Sequence, residues 1–173
     1  MRFSTACLAL TALAAPALAL PTADHAVAKF ENPAGVSGQV TFERQPKCGA
    51  QGTHVSFQFS GFGATAVGPF SYHIHQSPVG ADGGCTATGG HFDPYAVPKT
   101  PVYTCNPAQA RATCEVGDLS GKHGKLNPLP ANGPVSGSYH DVDVELTGAN
   151  AIVGRSVVVH NAQGDRIACA NIV

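Results

Sequence analysis

Short stretches of period-two alternation, each cut off by glycine or proline, recur along almost the whole chain and leave no space for a long amphipathic helix. They are AVAKF (26–30), VSGQVTFER (36–44), HVSFQFSGF (54–62), FSYHIH (70–75), SYHDVDVEL (138–146), RSVVVH (155–160) and RIACANIV (166–173). Within 138–146, Val142, Val144 and Leu146 alternate with Asp141, Asp143 and Glu145, the pattern of a strand with one buried face. A further strand is expected after Val116. The pattern predicts an all-β fold of about eight strands, an antiparallel sandwich or barrel, with residues 76–115 as its one large excursion.

A chain of 173 residues with 43% hydrophobic content suits one domain with a real core. Ten Lys and Arg against eleven Asp and Glu create no net field that would recruit nucleic acid or an anionic membrane. The opening MRFSTACLALTALAAPALALP reads as a secretion signal: Arg2 supplies the positive start, 6–15 is apolar, and Ala17-Leu18-Ala19 fits a small-x-small cleavage site. The expected organisation is a signal peptide over 1–19 and one domain over 20–173. No later stretch reads as a membrane span or a glycolipid-anchor signal, so the mature protein is expected outside the cell or in the wall, without a membrane anchor. Secretion makes disulfides the default for Cys48, Cys85, Cys105, Cys114 and Cys169, which remain once Cys7 leaves with the signal.

The glycine-rich stretch YHIHQSPVGADGGCTATGGHFDPY (72–95) holds three histidines. His73 and His75 are separated by one residue and project from the same face of a strand. His91 reaches them only if the intervening loop is held, and His160 ends the VVVH run. Imidazoles favour Cu, Zn, Fe and Ni, and four nitrogens in a flattened arrangement suit Cu(II). His25, His54, His123 and His140 carry no such pattern and are read as surface or core residues.

HIH, GGCTATGGHFDP, EVGDLSG, LTGANAIVGRSVVVHN and RIACANI follow one another in the order of the signature blocks of the copper/zinc superoxide dismutase family, which this chain resembles from AVAKF to its last residues. The resemblance implies an eight-stranded antiparallel Greek-key sandwich or barrel, copper ligands at His73, His75, His91 and His160, and an anion-docking arginine at Arg166. It also implies a disulfide between Cys85 and Cys169. Of the remaining cysteines, Cys105 with Cys114 closes the shortest loop, but all three pairings with Cys48 included stay open. Two departures stand out. No histidine occurs between His91 and His123, and Glu115 stands where the last zinc histidine of zinc-containing members would be, while the aspartate is kept as Asp118. Only NAQGD separates His160 from Arg166, where zinc-containing members carry a long electrostatic loop.

Both losses resemble the secreted fungal copper-only superoxide dismutases, which implies one copper per chain, no zinc, superoxide as substrate and a monomer. His91 would be the ligand that exchanges metal for a proton, oriented by Glu115 together with Asp118. The competing expectations are an extracellular copper-binding or buffering protein without turnover, and a silent surface protein that keeps the fold alone.

Overall fold

Seven strands form among the described residues: β1 (His25–Phe30), β2 (Ser37–Arg44), β3 (Thr53–Ser60), β4 (Ser71–His75), β5 (Val135–Asp141), β6 (Ser156–His160) and β7 (Arg166–Asn171). The computed structural model describes residues 24–32, 35–45, 52–63, 67–128, 130 and 133–173, so the expected signal peptide and Cys48 lie outside the described residues. One sheet has the order β1-β2-β3-β5 and the other β4-β6-β7, all neighbours antiparallel. The two are joined along one side, where Val27 and Val173 exchange backbone hydrogen bonds of 2.8 and 3.1 Å and Ala28 bridges Ile172. β4 leaves one sheet for the other and β5 returns beside β3, as a Greek-key path requires.

The alternation visible in the sequence sets which side chains fill the sandwich. Ala26, Ala28 and Phe30, Val40 and Phe42, and Val55 and Phe59 face inward from the larger sheet. They meet Tyr72, Ile74, Val157, Val159, Ala168 and Ala170 from the smaller one. β6 is buried at all five positions because both of its faces are covered: Val157 and Val159 enter the core, while Ser156, Val158 and His160 lie beneath the long loop. Ser156 Oγ donates to the Ser77 carbonyl at 2.7 Å, fastening that loop down. Cys85 is bonded to Cys169 and Cys105 to Cys114.

Two expected elements differ. The strand expected after Val116 is instead a short helix, α1 (Leu119–His123), begun by the Asp118 carboxylate, which accepts from Gly121 N at 2.7 Å. The strand expected over 138–146 ends at Asp141. There the buried Asp141 Oδ1 accepts from the backbone N–H groups of Asp143 (2.9 Å) and Val144 (3.2 Å), turning the chain and leaving Val142 exposed. Its Oδ2 accepts from the Lys122 ammonium at 2.6 Å and meets His123 Nε2 at 2.8 Å, so one carboxylate binds α1 to the end of β5.

Candidate metal centre

Because side chains alternate along β4, Tyr72 and Ile74 enter the core while His73 and His75 stand together on the outer face of the smaller sheet. β6 pairs directly with β4 and adds His160 on the same face. His91 comes from the long loop, which crosses beside β4: Phe92 N donates to Ile74 O at 2.9 Å and Gln76 N to Gly90 O at 3.0 Å. Gly117 locks this crossing from the other side, donating to Phe92 O at 2.7 Å and accepting from Ile74 N at 2.9 Å. A side chain at 117 would collide with the Ile74 carbonyl, so the close approach requires glycine. Arg155 stacks its guanidinium 3.7 Å over the Phe92 ring and donates to Gln76 O, holding the same crossing.

The ligand atoms of His73, His75, His91 and His160 all lie within 4.8 Å of one another. The hydrogen bonds on the far sides of the rings decide which nitrogen faces inward. His75 Nδ1 donates to Gly89 O at 2.9 Å and His160 Nδ1 to Gly164 O at 3.0 Å. His91 Nδ1 donates to Glu115 Oε2 at 2.5 Å. Each of these three rings therefore offers Nε2. His73 is reversed: its Nε2 lies 3.4 Å from Asp118 Oδ1, and its buried Nδ1 has no hydrogen-bond partner.

An orphaned buried nitrogen is costly unless something not made of protein completes it. Two Nε2 atoms, of His75 and His160, stand 3.3 Å apart and face the same space. Burial, reinforced by the neighbouring imidazoles and Lys125, lowers the His73 pKa to about 2. Burial also lowers that of His75 to about 4, against the opposing effect of the Gly89 carbonyl, and lowers that of His160. These imidazoles are neutral at ordinary pH, with lone pairs available, as metal ligation requires. Four convergent imidazole nitrogens fit a copper ion.

Behind the ligands, buried Glu115 holds His91 through one oxygen and Lys99 Nζ through the other, at 2.6 Å. Burial opposes ionisation of Glu115, but the hydrogen bonds of His91 and Lys99 outweigh it and keep its pKa below the ordinary value. Asp118 is placed against His73, and Tyr103 ties the two acids together, donating its hydroxyl to Asp118 Oδ2 at 2.7 Å and accepting from Glu115 N at 3.1 Å. Lys99 and Tyr103 escaped sequence reasoning because a loop lysine and tyrosine show no period or motif that marks them.

Arg166 directs its guanidinium onto the loop that the Cys85–Cys169 bond holds. Nη1 donates to Cys85 O (2.7 Å) and Thr88 Oγ1 (2.9 Å), and Nη2 to Gly89 O (2.7 Å), the carbonyl that also accepts from His75. The group remains exposed. A fixed cation thus stands at the rim of the four imidazoles.

The antiparallel sandwich thus carries four convergent imidazoles on the outer face of one sheet, a donor set that could hold a metal ion. Residues 36–172 match the copper/zinc superoxide dismutase family, and the chain belongs to that family. It is 38% identical over 138 residues to the cell surface superoxide dismutase [Cu-Zn] 6 of Candida albicans, covering 79% of this chain and 40% of that one. It is 35% identical over 147 residues to the cell surface Cu-only superoxide dismutase 5 of the same species, covering 84% of this chain and 59% of that protein. The chain thus spans about half the length of these curated relatives. The solved Cu(II) structure of Candida albicans superoxide dismutase 5 superposes with a TM-score of 0.72 at 33% identity, covering 87% of this chain and 92% of that one. No helix among the described residues is long and apolar enough to cross a membrane.

Proposed function

We propose that this chain is a secreted copper-only superoxide dismutase, released outside the cell or held at the wall, which converts two superoxide anions and two protons to dioxygen and hydrogen peroxide. The observation that carries the reading is the back of His91. In a zinc-containing relative a metal would hold that nitrogen; here the Glu115 carboxylate does, itself anchored by Lys99. The cell surface relatives carry copper-zinc in one name and Cu-only in another, so the zinc-free assignment rests on this geometry.

His73, His75, His91 and His160 would hold copper, which when bound supplies alternate acceptance and return of one electron. Arg166 attracts the small anion and fixes its orientation with a charge already aimed at the rim of the centre. His91 handles the proton. With Nδ1–H committed to Glu115, its Nε2 is the atom that takes up and delivers a proton, and Glu115 keeps the ring aligned throughout. Asp118 performs the matching task for His73.

Protein purified without added metal is expected to carry about one copper per chain, no stoichiometric zinc beside it, and to accelerate superoxide decay. Copper without turnover would make it a copper-buffering protein instead, and stoichiometric zinc bound at His91 beside the copper would overturn the copper-only assignment.

Replacing Arg166 with alanine is expected to lower the second-order rate roughly tenfold or more, the scale of local electrostatic focusing. The residual rate should vary less with ionic strength, since attraction to an exposed charge is screened over about 10 Å at moderate salt. Arg166→Lys should recover part of the rate, keeping the charge but losing the planar pair of donors. Pulse-generated superoxide decay across a salt series, with copper quantified in each variant, checks this. Equal rates and equal salt slopes in wild type and Arg166→Ala would remove Arg166 from the docking role.

A further inference from the structure

Three histidines outside the centre, His25, His54 and His140, fall in one row across the outer face of the larger sheet. Strand pairing places His25 opposite Glu43, Glu43 opposite His54, and His54 opposite His140. Their chain neighbours Ala26, Phe42, Val55 and Asp141 are buried, so all four residues of the row project outward together, on the far side of the sandwich from the centre. None of this is visible along the chain, where the four residues are scattered from 25 to 140; it follows from register alone.

Directly opposed residues on neighbouring strands hold their β-carbons about 4.5–5.5 Å apart. That spacing lets two imidazoles reach one cation at the usual 2.0–2.1 Å or so from nitrogen. The Glu43 carboxylate already stands 3.9 Å from His54 Nδ1. The His140 ring lies over Gly52, where an added β-carbon would come within 2.8 Å of Nε2, so glycine at 52 is what gives the ring its space beside β3. The next row along the same face is Thr41, Ser56 and Ser138, which line a shallow groove of about 380 Å³ with His54 and bring no positive charge against the row.

We propose that Glu43, His54 and His140 form a second, surface metal site for a borderline divalent cation such as Zn²⁺ or Cu²⁺, its remaining positions filled by water. Two imidazoles and a carboxylate are the donor set these ions share. The ligands close by rotation of surface side chains, Glu43 and His140 exposed and His54 half-buried, on paired strands. The site is exchangeable, and in excess copper it raises the copper-to-chain ratio above that of the centre alone. It does not depend on the proposed dismutase activity.

Titration of the full chain with zinc chloride, followed through the imidazole resonances of each histidine, separates this row from the centre. His54 and His140 are expected to shift together along a single binding curve. In His54→Ala the His140 response should weaken by at least about tenfold, the loss that even a supporting group beside a metal commonly brings. The unfolding temperature of that variant should stay at the wild-type value, because the substituted side chain is on the surface. The proposal is overturned if only His73, His75, His91 and His160 respond, or if His140 titrates equally in wild type and His54→Ala.

Discussion

Substitution of Asp141 by alanine is expected to destabilise the protein by about 3–5 kcal/mol, because it leaves a buried cation without its partner. The Lys122 side chain is 3% exposed and its ammonium has two acceptors, Asp141 Oδ2 and the Val116 carbonyl. Removing the first strands the charge inside the protein. It also frees the backbone N–H groups of Asp143 and Val144 and unfastens His123, which stacks 3.8 Å from the Tyr139 ring. For a chain of this size the loss corresponds to a fall of roughly 6–20 °C in unfolding temperature.

The same carboxylate has a pH signature. Burial alone would raise its pKa, but His123 and Lys122 outweigh burial and lower it to about 2. A depressed carboxylate contributes its stability fully above its unfolded value of about 3.9, and the contribution disappears as pH falls through the folded value. The stability gap between wild type and Asp141→Asn should therefore be widest above about pH 4 and narrow toward pH 2. Urea unfolding of both proteins across that range measures it. Parallel curves would mean that Asp141 does not act through its charge.

Loss of the Cys85–Cys169 bond in the paired Cys85→Ser, Cys169→Ser variant is expected to cost about 2–5 kcal/mol, the usual range for a bond that closes a long loop. Here the loop spans 84 residues. The chemistry should suffer along with stability. Residues 85–89 supply the acceptors for Arg166 and the carbonyl that orients His75, so freeing Cys85 loosens both at once. The variant should bind copper more weakly and show a smaller salt dependence of superoxide decay than wild type. If copper affinity and salt slope are unchanged while stability falls, the bond serves the fold alone. The Cys105–Cys114 bond spans only 9 residues, and its removal should have a smaller effect.

What could be read from the sequence depended on whether its signal was local. The H-x-H pair needed only strand periodicity, and its two imidazoles lie on one outer face as the spacing requires. β1, β2, β3, β6 and β7 were legible for the same reason. The stretch 138–146 misled because its alternation runs on past Asp141, whereas the chain turns there for hydrogen bonds that hydropathy does not register. A helix of five residues, LSGKH, is too short to display a helical period, and its start depends on one Asp118 contact. Lys99 shows the other limit: its partner Glu115 lies sixteen positions away across a proline-rich loop, and only the folded chain brings them together.

β7 is the last of the seven strands in chain order, yet in space it fills the slot between β1 and β6. As a chain emerges from its amino end, that slot stays open until residues 166–173 arrive. Until then β1 and β6 each present an unpaired edge, the kind of surface that invites capture by a chaperone or by another copy. Cys169 belongs to this late stretch too, so a nascent fragment that already holds all four histidines still lacks the bond that ties the long loop carrying His91. Closure of the sandwich, which waits on contacts between stretches far apart along the chain, therefore belongs to the slower class of folding steps.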